Sequence, residues 1–188
     1  MNPAPNLALV GPMGAGKSAI GRVLAERLGL RFADLDHEIE ERTGANISTI
    51  FECEGEAGFR AREKATLQTL LGDDGLVLST GGGAVLDEDN RRLLRERCFV
   101  VHLHIDVPGQ LQRLARDRSR PLLQRPDRER ALRELAAVRE PLYGDIADLR
   151  IDTGEDSAVH AATILAERLQ SHWQRGPVAP LRQGPGQA

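Results

Sequence analysis

The chain has 188 residues, 40% hydrophobic and 28% charged, with a formal net charge of −3 at pH 7; this is enough for one domain with a real core and gives no electrostatic reason to expect a nucleic-acid partner. Aromatic residues make up only 3%, which argues against a single-strand binder built on stacking platforms. No apolar run approaches the roughly 20 residues of a membrane span, no basic-then-apolar leader follows Met1, and Cys53 and Cys98 lack C-x-x-C spacing and read as free thiols, so the expectation is a cytoplasmic protein with no membrane partner.

Leu7 to Val10 predicts a strand that breaks at Gly11. Gly11, Gly16, Lys17 and Ser18 then satisfy G-x-x-x-x-G-K-[ST], the phosphate-binding loop between a strand and a helix. Its glycines let successive backbone N–H groups converge on an anion-sized hollow, and the helix starting at Gly16 adds its positive end. Lys17 is expected to reach the β- and γ-phosphates and the Ser18 hydroxyl a magnesium ion. Lys17 and Lys64 are the two lysines among 25 basic residues, so arginine supplies positive charge nearly everywhere else. Ile20, Val23, Leu24 and Leu28 mark one helix face, ended by Gly29.

Residues 31 to 36 predict a second strand ending in Asp34 and Asp36, which fall on the same side if the chain is still extended there. A helix over His37 to Arg42 stops near Gly44, and Ile47, Ile50 and Phe51 suggest a further short turn or helix. Glu54-Gly55-Glu56 signals a loop before a longer helix, Ala57 to Leu71, with Phe59, Glu63, Leu67, Leu70 and Leu71 on one face and Arg60 beside it. Leu76 to Thr80 is a third strand, running straight into Gly81-Gly82-Gly83. Asp87 caps a helix that continues to Arg97, Phe99 to Ile105 is a fourth strand, and Pro108 to about Ala115 is helical. Arg116 to Arg130, rich in arginine and broken by Pro121 and Pro126, predicts an irregular, mobile loop. Ala131 to Arg139 is helical and is expected to end at Glu140-Pro141. Leu149 to Asp152 is a fifth strand. Ser157 caps a last helix with Val159, Ile164, Leu165 and Leu169 apolar, running to about Trp173, and a disordered tail is expected from Gly176. His102 and His104 alternate along the fourth strand with no third metal ligand, and read as edge or packing residues.

Strands alternating with helices imply a parallel sheet covered on both faces, a three-layer α/β fold. Ligands of such sheets bind beyond the carboxyl ends of the strands, which gathers the phosphate loop, the aspartates and the glycine run at one cleft. The cleft has the parts for phosphoryl transfer. Ser18 and Asp34 suit magnesium, Asp36 suits an attacking hydroxyl, and Arg120 suits a group closing over the nucleotide.

Six segments in order, Gly-Pro-Met-Gly-Ala-Gly-Lys-Ser at 11–18, Asp34-Leu35-Asp36, Gly55-Glu56 with Phe59-Arg60 and Glu63, Gly81-Gly82-Gly83, Arg120-Pro121-Leu122-Leu123, and Arg139-Glu140-Pro141-Leu142-Tyr143, together resemble the shikimate kinase family over about residues 6–170. The resemblance implies a P-loop kinase fold of the nucleoside-monophosphate-kinase-like type, α/β/α in three layers with a central five-stranded parallel sheet. It implies a single kinase domain over 1–175, with a substrate-binding region at about 33–63 and a lid at about 112–126, then a tail over 176–188. It further implies transfer of the γ-phosphoryl of ATP to the 3-hydroxyl of shikimate, a step of chorismate and aromatic amino-acid biosynthesis, with one Mg2+ per subunit, in a monomer. Carried over by motif, Asp36, Arg60, Gly82 and Arg139 would bind shikimate, with Gly81, Gly83 and Glu63 close by. Gly14, Ala15, Gly16, Lys17, Ser18, Ala19 and Arg120 would bind ATP, and Lys17, Asp36 and Arg120 would act in catalysis. Forked arginine donors match a carboxylate such as shikimate's. Ala19 departs from the family's frequent threonine, and the variable stretch Thr153 to Ser157 gives no firm adenine contact. The alternatives are a gluconate kinase-like enzyme, which needs a different acceptor pocket, and a nucleotide-binding module without catalysis, against which Lys17, Ser18, Asp34 and Arg120 all stand.

Overall fold

The computed structural model describes residues 3–115, 127–154 and 157–174. Five strands, β1 (Asn6–Val10), β2 (Arg31–Asp34), β3 (Leu76–Ser79), β4 (Cys98–His104) and β5 (Leu149–Asp152), form one sheet of order β2-β3-β1-β4-β5. All four pairings are parallel. A central strand of such a sheet is covered on both faces and needs apolar residues at successive positions; Leu7, Ala8, Leu9 and Val10 of β1 are fully buried.

Side-chain alternation then divides the core in two. Leu7, Leu9, Val77, Phe99 and Val101 pack under α1 (Lys17–Leu28) and α7 (Ala158–His172). Ala8, Val10, Leu76, Leu78 and Val100 pack on the other face with residues of α2 (Leu35–Thr43), α3 (Ile47–Leu70), α4 (Glu88–Arg97) and α6 (Arg128–Ile146). The short α5 (Val107–Arg113) follows β4. Helix starts are written into the sequence: the side chains of Asp34, Asn46, Asp87, Asp106 and Ser157 each accept a backbone N–H of the helix that follows.

Several expectations are corrected. The chain is no longer extended at Asp36, because Asp34 ends β2 and caps α2, leaving Asp36 in that helix's first turn. Glu54-Gly55-Glu56 is a kink within α3, made by Gly55 at φ 68° and ψ −173°. α6 begins at Arg128, inside the stretch expected to be irregular, and runs through Pro141 to Ile146. A proline there removes one helical N–H, and burial of Tyr143 and Ile146 beyond it holds the helix on. Val159 faces outward at 56% exposure while Ala161, Ala162, Leu165 and Leu169 form the packed stripe of α7. Of the edge and packing readings of His102, packing is the outcome, because β4 lies inside the sheet and His102 is buried. Arg120, most of the expected lid, and the tail lie outside the described residues.

Candidate active site

The carboxyl ends of β1, β2 and β3 meet in one pocket of about 240 Å³ lined by Met13, Gly14, Gly16, Lys17, Ser18 and Ala19 of the phosphate loop, with Asp34, Asp36, Ser79, Thr80 and Gly82. Ala15 of the loop is buried. Lys17 Nζ donates to the carbonyls of Gly11 and Pro12, at 2.8 Å each. These bonds fold the lysine back over the loop that it serves. The Ser18 hydroxyl donates to Asp34 Oδ2 in a short hydrogen bond and stands 3.2 Å from Ser79 Oγ. A hydroxyl and a carboxylate facing one small polar pocket are the donors a hard cation such as Mg2+ takes while keeping several waters, so these residues fit that ion. Among the described residues no group of three or more His, Cys, Asp or Glu is arranged to hold a metal.

The second half of the site is organised by the glycine run. A Cβ on Gly81 would come within 2.8 Å of Asp36 Oδ1 and 3.0 Å of Glu63 Oε1. One on Gly82 would lie 3.6 Å from Arg139 Nη1, and one on Gly83 would overlap the Arg60 guanidinium. The missing side chains thus admit an aspartate from α2, a glutamate and an arginine from α3, and an arginine from α6 to the same stretch of backbone. The resemblance places Gly82 on shikimate, with Gly81 and Gly83 close by. At Gly81 and Gly83 the room is filled by the protein's own charged groups.

These charges hold one another. Arg60 Nη1 lies 2.7 Å from Glu63 Oε2, and its Nη2 3.3 Å from Glu56 Oε1. Glu63 is fully buried. Burial raises its carboxyl above the ordinary value, opposed by Arg60 and Arg139 and reinforced by Asp36. Glu63 Oε1 and Arg139 Nε are buried without a hydrogen-bond partner among the described residues, and such groups cost stability unless something polar answers them. Tyr143, one turn after Arg139, donates its hydroxyl to the Gly82 carbonyl at 2.5 Å, and burial pushes its pKa up to about 12.

Every predicted site residue among those described is therefore at this edge of the sheet. Four others have no role assigned from the sequence. Ser79 and Thr80 precede the glycines and carry no motif of their own. Tyr143 was legible as the i+4 partner of Arg139 only if α6 continued through Pro141. Arg113, one arginine among many, donates to the Gly14 carbonyl at 3.0 Å and makes short bonds to the carbonyls of Thr153 and Gly154. It ties the phosphate loop to the loop after β5, beside a larger cavity of about 710 Å³ lined by Asp106, Gly109, Gln112 and Asp152 among others.

The family model described as shikimate kinase matches residues 13–170. A shikimate kinase of Stenotrophomonas maltophilia is 55% identical over 180 residues, 96% of this chain and all of that one. Another, of Xanthomonas oryzae pv. oryzae, is 58% identical over 174 residues, 93% of this chain and 97% of that one. The solved shikimate kinase of Acinetobacter baumannii in complex with shikimate is 49% identical with a TM-score of 0.86, covering 90% of this chain and 95% of that one.

Proposed function

The chain belongs to the shikimate kinase family, and we propose that it transfers the γ-phosphoryl of ATP to the 3-hydroxyl of shikimate with the residues gathered around the phosphate loop and Gly81–Gly83. The activity itself, an ATP-dependent kinase of aromatic amino-acid biosynthesis, follows from family membership; the assignment of roles is our reading. Its main support is the convergence of Asp36, Arg60, Glu63 and Arg139 on Gly81–Gly83, of which Gly82 lines the phosphate pocket. Shikimate is a carboxylate bearing three hydroxyls, and this cluster offers two forked cations for the first and a carboxylate acceptor for the second.

In this reading Arg60 and Arg139 hold the shikimate carboxylate and ring, and Asp36 accepts the hydrogen of the 3-hydroxyl as its oxygen attacks phosphorus. The new O–P bond forms as the bond to the ADP oxygen breaks, and the proton resides on Asp36. Lys17 leaves its two carbonyl partners for the β- and γ-phosphates, where it stabilises the charge that develops in transfer. Gly14 to Ala19 supply the amide cradle, and Arg120 is assigned by its motif to the transferred phosphoryl. Ser18 and Asp34 would hold Mg2+, which when bound neutralises phosphate charge.

The test is ADP release with ATP and Mg2+, with shikimate, with gluconate and without acceptor, in the wild type and in Arg60→Ala and Arg139→Ala. Shikimate-dependent turnover is expected, with each variant raising the shikimate KM at least tenfold more than the ATP KM. An equal rise in both would move the acceptor site elsewhere. Turnover of gluconate in place of shikimate would overturn the acceptor itself.

A further inference from the structure

We infer that Asp34 is a positioning residue for Asp36, joining the metal side of the phosphate pocket to the acceptor base through the two oxygens of one carboxylate. The inference rests on the acceptor site proposed above. Asp34 Oδ1 accepts the backbone N–H of Asp36 at 3.2 Å and of His37 at 3.4 Å, while Oδ2 accepts the Ser18 hydroxyl. The same residue is the last of β2, paired with Ser79, and the N-cap of α2 with φ −107° and ψ 121°.

The first N–H groups of a helix have no partner within it. In α2 two of them depend on this one oxygen, and the first belongs to Asp36 itself. Asp36 Oδ1 in turn occupies the space that a Cβ on Gly81 would take, so Asp34 holds the backbone of the residue whose carboxylate lies beside the glycine run after β3. A carboxylate is a rigid planar group. Whatever engages Oδ2 beside Ser18 sets the direction of Oδ1, and with it the start of the helix carrying Asp36. A residue needed only to hold a cation has no use for this second set of bonds.

Asparagine and aspartate cap helices about equally, alanine caps poorly, and glycine is tolerated at the position without offering an oxygen. Calorimetric titration of shikimate into the full chain, with neither nucleotide nor metal, therefore separates capping from cation binding. Asp34→Asn is expected to bind within twofold of the wild type. Asp34→Ala and Asp34→Gly are expected to bind roughly five- to tenfold more weakly, Asp34→Gly serving where Asp34→Ala does not fold. In turnover, Asp34→Asn should keep the shikimate KM and lose kcat, whereas Asp34→Gly loses both. Wild-type affinity in Asp34→Gly, with Arg139→Ala weakened, would overturn the positioning role and leave the acceptor site standing. Wild-type affinity in Arg139→Ala as well would overturn the acceptor site, and this inference with it.

Discussion

His102 is buried with both ring nitrogens lacking a hydrogen-bond partner among the described residues. Its ring centroid is 5.1 Å from that of Tyr143, and its Nε2 is 3.6 Å from a carboxylate oxygen of Glu140. Burial drags its pKa down to about 4, helped by His104, Arg150 and Lys17 and opposed by Asp152. A histidine whose pKa is lower folded than unfolded, where it is about 6.5, favours the fold in its neutral form. Its contribution is complete above about pH 6.5 and is lost as pH falls through about 4. His102→Phe keeps a flat ring and cannot take a proton, so its melting temperature should fall less steeply than the wild type's between pH 6.5 and 4. Parallel curves would mean that acid unfolding starts elsewhere. Asp34 and Asp36 teach a related lesson about single positions. Their chemistry was legible, but their geometry was inferred from a strand period that a cap had already ended.

The phosphate loop with α1 was readable almost to the residue, because a glycine signature, an apolar stripe and a terminal glycine agree there. The sequence predicts two pieces for α3, which is one run with a kink. Gly55 adopts a conformation open essentially to glycine, and a Cβ there would meet nothing within 4 Å, so its requirement is purely one of backbone torsion. The kink lets Phe51 stack on Phe59 at 4.7 Å and Arg62 pair with Glu54 at 2.6 Å across it. Gly55→Ala should therefore cost about 1–3 kcal/mol, seen as a drop in melting temperature of roughly 2–4 °C per kcal/mol. Because Arg60 lies one turn downstream, the shikimate KM should rise with little change in the ATP KM. An unchanged melting temperature would show that alanine is accommodated at the kink. α6 is longer than its local pattern predicts, for the opposite reason. Local propensity stops a helix at Glu140-Pro141, and burial of Tyr143 and Ile146 overrides it.

The single sheet carries a core on each side, and Ala4 and Trp173 meet over one of them. Trp173, the one tryptophan in the sequence, packs against Phe99 at 6.2 Å and donates its indole N–H to the Ala4 carbonyl at 2.8 Å. It reports on the α1 and α7 side, whereas far-UV circular dichroism reports on both. Since β1, β3 and β4 contribute side chains to both cores, neither side can be lost without the other. Urea unfolding followed by Trp173 fluorescence and by circular dichroism should give coincident transitions. A fluorescence change at lower urea would mean that α7 detaches before the sheet opens. No helix among the described residues is long and apolar enough to cross a membrane.

From the order of residues alone came the alternation of strands and helices, the parallel sheet, the phosphate loop and the motifs proposed for the acceptor, because each is a local or periodic pattern that a short window contains. Folding in three dimensions settled which glycine admits which charged side chain, that α6 passes through Pro141, that His102 is interior, and that Asp34 serves a helix and a pocket at once. Those outcomes depend on burial and on approach between segments far apart in the chain, and no window of sequence holds both partners.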